Sequence, residues 1–241
     1  MLLKTKAIIL RSRKYSESSM IVDAFTEEKG LRSYIISGVR AKRSKVSAGL
    51  LQVMSLVDMV VYHRDDKDLT RIKEIKAAYN YQRIPFRVMR GAVGMFMVEV
   101  AQKAIRIPEE NRELFTFLYD YFQFLDTTES QIGNLHLKFM LDLAEFLGFM
   151  PGDNYDAEHN IFDLQEGYFI DYIPEHYHYV KEPNAQRLFQ LINATKENCH
   201  EVPLERIQRK QILQSIIDYY RSHIENLPNF NAHAVLEAVL S

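Results

Sequence analysis

The sequence is short of cysteine, glycine and proline, and each shortage excludes something. A single cysteine, Cys199, makes no intrachain disulfide and no four-thiolate zinc site. Nine glycines and seven prolines in 241 residues fall below the usual shares of about 7% and 5%, which argues against a collagenous or linker-dominated chain and favours helix. No apolar run reaches the ~18 residues of a membrane span. Lys4 and Lys6 are followed by no clean apolar core and no small-residue cleavage site, so no secretory signal is expected. A soluble, cytoplasmic chain is the expectation. At 47% hydrophobic residues there is enough apolar side chain for a real core.

The chain is rich in charge, unevenly placed. The formal net charge of −2 argues at first against a nucleic-acid binder. Residues 1–90, however, carry 19 Lys and Arg against 9 Asp and Glu, whereas residues 91–241 carry 11 against 23. A basic front piece and an acidic back piece cancel in the total. The front piece is of a kind that concentrates a polyanion; the back piece repels one, steers it, or serves solubility.

Hydrophobic periodicity divides the chain near the same place. Residues 5–15, 20–26, 31–37, 56–62 and 69–75 read as five strands, with a turn at Glu28-Lys29-Gly30 and a helical turn within 50–54. Five strands at this spacing fit a small barrel or sandwich, and the intervening helical turn favours a five-stranded OB-type barrel. From Ile84 the period becomes helical. Val88, Ala92, Met95, Phe96 and Val100 mark one helix, Leu114 to Leu125 a second, and Ile132 to Phe146 a third, stopped by Gly148 and Pro151. Residues 151–183 are polar and aromatic, with strand-like runs at 160–164 and 167–173 that read as a hairpin insert. Helices are expected again at 184–198, 204–226 and 230–240. The expected architecture is α+β: an OB-fold barrel over residues 1–80, then an α-helical domain over 81–241 with the small β-hairpin insert at 151–183.

The densest cationic run is Arg40-Ala41-Lys42-Arg43-Ser44-Lys45, in a polar loop from Gly38 to Lys45. With Arg11, Arg13, Lys14, Lys29 and Arg32 on adjacent strands it forms a candidate phosphate-binding groove. Tyr15, Tyr34 and Tyr62 are candidate platforms for unstacked bases, because single-strand binding pairs cations for phosphates with flat rings for bases. Phe25 continues the Ile21 face and is expected in the core. The competing reading is a solvated loop with tyrosines half-buried in the barrel.

Other constellations are weaker. His159, His176, His178, His200 and Cys199 lack the spacing of a zinc site, so no metal is expected. Asp65, Asp66 and Asp68 resemble the start of a calcium loop, but counted from Asp66 the sixth and twelfth positions hold Arg71 and Ala77 where Gly and Glu are required. A hairpin turn is expected there. There is no phosphate-cradling glycine loop, nucleophile elbow or zinc-protease helix. Asp142 and Glu145 read as the solvent edge of their helix. The sequence offers no positive sign of catalysis, and no cofactor is expected. The aromatics of residues 115–124 exceed what one helix face buries, which leaves an exposed docking surface and a fully buried helix both open.

Four segments then carry a resemblance: Lys4 to Leu10, Tyr15 to Val22, Phe25 to Leu31 and Gly38 to Ser44. In this order they resemble the N-terminal domain of the RecO family of bacterial DNA repair proteins, and Glu145-Phe146-Leu147-Gly148-Phe149-Met150-Pro151 is similar to that family's helical domain. The resemblance implies a non-catalytic recombination mediator. Such a protein binds single- and double-stranded DNA, anneals complementary strands, and works with RecR to load RecA onto DNA coated by single-strand-binding protein (SSB). It also implies that Arg40, Lys42, Arg43 and Lys45 lie in a DNA-binding loop, and that the helical domain docks the acidic, apolar SSB tail. Candidate cations for that tail are Arg106, Arg112, Lys138, Arg206, Arg209 and Lys210. Some relatives carry a four-cysteine zinc site in the insert; residues 151–183 contain no cysteine, so none is expected here. An OB-type RNA-binding protein or adaptor without annealing activity, and a metal-dependent hydrolase built on the histidine insert, are the rival readings.

Overall fold

The computed structural model describes residues 1–39, 47–64, 66–106 and 109–239. They form two compact units, residues 1–87 with 105–127 and residues 88–104 with 128–241.

The first unit is built on five strands, β1 (Leu2–Lys14), β2 (Met20–Thr26), β3 (Gly30–Ile36), β4 (Leu56–Tyr62) and β5 (Leu69–Ala77). They close into a barrel in the order β1-β2-β3-β5-β4. Closure uses a parallel pairing of β3 with β5; the other pairs are antiparallel. A single-turn helix at Ala48–Leu51, N-capped by Ser47, precedes β4. Thus the reading of an N-terminal five-strand, OB-type barrel holds. The interior takes alternate residues, as the period of two requires: Ala7, Ile9, Val22, Ala24, Tyr34, Ile36, Val57, Met59, Val61 and Ile72 form one cluster.

Between barrel strands and helices the sequence boundary is less simple. The second long helix, α2 (Arg112–Thr127), belongs to the barrel's compact unit. Phe25 points away from the interior cluster yet is buried, because Phe115 of α2 stacks on it at 6.4 Å. At the other end of α2, Asp126 accepts the backbone N–H groups of Gln82, Arg83 and Ile84 at 2.8–2.9 Å and the hydroxyl of Tyr79 at 3.1 Å. These donors outweigh burial and hold its carboxyl below the usual carboxylate range. Of the aromatics of this helix, Phe115, Tyr121 and Phe122 are buried, and Phe117, Tyr119 and Phe124 are half-buried.

The second unit contains α1 (Val88–Ala104), α3 (Leu135–Phe146), α4 (Asn184–Asn193), α5 (Arg206–His223) and α6 (Ala232–Val239). Its insert is a three-stranded sheet in the order β7-β6-β8, from β6 (Ile161–Asp163), β7 (Phe169–Ile170) and β8 (Tyr179–Val180). The expected hairpin is present, and the short third strand joins its free edge. Helix α3 is the centre of the unit, buried on almost every side. Gly148, at φ +86°, ends it in the left-handed conformation while Phe149 N–H returns to Ala144 O. Edge-on aromatic contacts of Phe162 with Phe169 (4.9 Å) and Tyr219 (5.7 Å) tie the insert to α5. Among the described residues no group of three or more His, Cys, Asp or Glu is placed to hold a metal. His176 Nε2 lies 3.2 Å from the buried Asp163, and His159 bonds Asp156. No helix among the described residues is long and apolar enough to cross a membrane.

Candidate nucleic-acid interface

The register of the barrel decides which cations face outward together. Asp23 of β2 lies opposite Arg11 of β1 and Ser33 of β3. Ile21 lies opposite Arg13 and Ile35, and Ile35 opposite Arg71 of β5. Arg71 in turn faces Tyr62 of β4, and Tyr62 faces Leu2. Arg11, Arg13 and Arg71 are exposed. Asp23 accepts the hydroxyl of Ser33 at 2.6 Å and takes Arg13 at a long 3.5 Å, so the arginine is only loosely held.

The β1–β2 turn extends this face. Lys14 is exposed, and the Tyr15 ring is 63% exposed. Tyr15 N–H closes the turn onto Ser19 O, and Val39 N–H bonds Ser18 O, which fixes the start of the basic loop beside Tyr15. Arg40, Lys42, Arg43 and Lys45 themselves lie outside the described residues, as does Asp65.

The remaining sequence candidates divide. Tyr62 is 48% exposed and has a ring face to offer. Tyr34 does not: it shares the inward register of Val22 and is fully buried, so it fills the core, and burial pushes its phenol pKa upward. Arg32 sits opposite the interior residue Ala24, half-buried with its Nε sequestered, and so stands apart from the Arg11–Arg13 row. Lys29, in the β2–β3 turn, is half-buried. Arg71 is the residue that sequence reasoning passed over. Its signal was the alternation of Leu69-Thr70-Arg71-Ile72-Lys73, which puts Arg71 outside the barrel.

The six cations considered for a partner's tail divide between the two units. Arg106 and Arg112 belong to the barrel's unit, and Arg112 is bonded to Glu28 at 2.7 Å and Glu110 at 2.9 Å. Lys138 is buried in α3, where its ammonium donates to Ile192 O at 2.9 Å and pairs with Asp142 at 2.7 Å. Arg209 is half-buried and donates to Asn134 Oδ1 and Leu204 O, both at 3.0 Å. Arg206 and Lys210 are exposed one turn apart on α5, with Ile207, 68% exposed, beside them. Neighbouring Cys199 is buried, and burial pushes its thiol up to about 12, so it is no nucleophile at neutral pH.

What this geometry offers is an outward barrel face that carries Arg11, Arg13 and Arg71 with the open rings of Tyr15 and Tyr62. The family model described as Recombination protein O N terminal matches residues 1–81, and that described as Recombination protein O C terminal matches residues 88–229. Proteins named DNA repair protein RecO are similar throughout. The one from Bacteroides fragilis is 34% identical over 239 residues, covering 98% of each chain, and the one from Phocaeicola vulgatus is 31% identical over 241 residues, covering all of each. That from Christiangramia forsetii is 32% identical over 240 residues, covering 99% of each. With both halves matched and relatives aligned end to end, the chain belongs to the RecO family of DNA repair proteins.

Proposed function

We propose that this chain is a cytoplasmic recombination mediator without catalytic turnover. It binds single- and double-stranded DNA, anneals complementary strands, and with RecR helps load RecA onto single-stranded DNA coated by SSB. Residues 1–80 contact DNA and residues 81–241 serve protein partners, the SSB tail among them. The observation that carries the reading is the outward row of Arg11 and Arg13 beside the exposed Tyr15, at the end of the barrel where the basic loop begins. Loosely held guanidinium groups neutralise phosphates, and an open ring stacks on an unpaired base. Annealing brings two polyanions together, and neutralising them requires charge but no active site.

Within residues 81–241, Arg206 and Lys210 with Ile207 supply the exposed cations and apolar side chain that an acidic, apolar tail calls for. The test of the main reading is annealing of complementary oligonucleotides, with and without SSB. It compares the natural chain with a variant whose Arg40, Lys42, Arg43 and Lys45 are replaced by Ser. A large loss of annealing is expected. Unchanged annealing would favour an adaptor that binds no nucleic acid.

A further inference from the structure

Strand β1 is long enough to serve two faces of the barrel. Leu2 to Ile8 pair with β4, whereas Ala7 to Lys14 pair with β2, and a bulge between Ile9 and Arg11 separates the two halves. Arg11 and Arg13 therefore face outward beside β2 and β3. Lys4 and Lys6 face outward beside β4 and β5.

This second face is concave. A groove of about 740 Å³ runs along it, lined from β1, β4 and β5, with Glu27 at its edge. Register sets its cross-section: Lys4 opposite Val60 opposite Glu74, and Lys6 opposite Asp58 opposite Lys76. Two of the three acids are matched by lysines of the groove, Asp58 by Lys76 at 3.4 Å and Glu74 by Lys73 at 3.6 Å. Lys4 and Lys6 have no acidic partner within ion-pair distance among the described residues. Lys6 instead lies over the ring of Tyr119 on α2, 5.6 Å from its centre. One register step beyond Lys4, in the row Leu2–Tyr62–Arg71, stands the half-exposed ring of Tyr62. The groove thus offers the ammonium groups of Lys4 and Lys6 beside the outward Val60, and the rings of Tyr119 and Tyr62 stand just outside its lining. Cations that track a backbone, flanked by rings for bases, are what a single strand needs.

We propose that this groove is a second path for single-stranded DNA, distinct from the Arg11–Arg13 face, so that one barrel carries a strand on each face during annealing. The inference rests on the reading of the chain as an annealing protein and assigns where the second strand lies.

The experiment uses the full chain, a short oligothymidylate at low salt, and a separate annealing assay. The natural chain is expected to take up an oligomer on each face. The K4E/K6E pair should take up one, and its annealing rate should fall by about tenfold as the second phosphate path becomes repulsive. Lys4 and Lys6 are both exposed, so thermal melting should not move. The milder K4Q/K6Q pair should show the same loss in smaller measure. Undiminished uptake and annealing in K4E/K6E would overturn the second path and leave the groove to a protein segment, while the annealing function itself would stand. A natural chain that takes up no oligothymidylate and anneals nothing would overturn both.

Discussion

The cations of the two units do different work, although the sequence prints them alike. In the barrel, Arg11, Arg13 and Arg71 project from alternating strand positions into solvent, with at most a long contact to Asp23 among the described residues. In the helical unit, Lys138 is buried against Ile192 O and Asp142, and Arg209 spans Asn134 and Leu204 O. A charge that has already found carbonyls and carboxylates inside its own fold has little left for a ligand. The lesson is that charge must be read with burial: Arg11, Arg13 and Arg71 stay exposed on the barrel, whereas Lys138 and Arg209 are drawn into the packing of the helical unit.

Lys138→Ala puts the largest strain on this contrast. It strands the Ile192 carbonyl beside a packed interior and removes one partner of Asp142, and should cost about 3 kcal/mol in urea unfolding. A loss below about 0.5 kcal/mol would mean that the buried lysine is not structural.

Next comes the pH dependence of the same unit. His136 is wholly buried in an edge-to-face contact with the Phe96 ring, and burial holds its pKa down to about 3. An unfolded histidine titrates near 6.5, so the unfolded chain binds the proton that the folded chain refuses. The stability held by a neutral His136 is complete above about pH 6.5 and drains as pH falls toward the folded value. Between pH 6.5 and 5 the loss from this group alone should be roughly 2 kcal/mol. H136F should flatten that part of the stability profile, as followed by denaturant melts at each pH.

A smaller effect is expected on the barrel, and in binding rather than stability. Tyr62→Ala should weaken single-strand binding by about 1–2 kcal/mol through lost stacking, as read by fluorescence anisotropy. Equal binding by the variant would remove Tyr62 from the interface. Smallest in energy is Arg13→Ala. Its melting should stay within about 0.5 kcal/mol of the natural chain, while the slope of log affinity against log salt for a single strand should shrink by about 0.7. An unchanged slope would mean that Arg13 touches no phosphate.

The barrel was legible because its strands alternate cleanly and its turns carry their own signals. Met20 to Thr26 and Leu56 to Tyr62 have the bounds read from periodicity. Three things were not legible. Phe25 was recognisable as buried, but its partner Phe115 lies 90 residues away on a helix that periodicity assigns to the other domain. The carboxyl of Asp126 ends α2 by collecting backbone N–H groups from 82–84, a contact that no local pattern announces. The strand β8 is two residues long, too short for any period to register.

At the interface the residue types were readable, but inward and outward parity was not. Tyr34 and Tyr62 look alike in a list of barrel tyrosines. Only register separates the one that fills the core from the one that faces solvent. Arg71 escaped because Lys73, Glu74 and Lys76 share its strand in mixed sign, so no dense cationic run flags it. Lys138 was misleading for the opposite reason: its neighbours Leu137 and Phe139 are fully buried, so a lysine in that run is drawn inside and must find partners there.

The central claim, that the outward barrel cations act on DNA while the buried cations of the helical unit hold the fold, meets its most direct test in one comparison. Annealing of complementary single strands is measured for the natural chain and for R11E/R13E, with thermal melting recorded on the same samples. The account predicts that annealing is lost at low salt while the melting temperature is unchanged. Annealing at the natural rate by a folded R11E/R13E chain would contradict it.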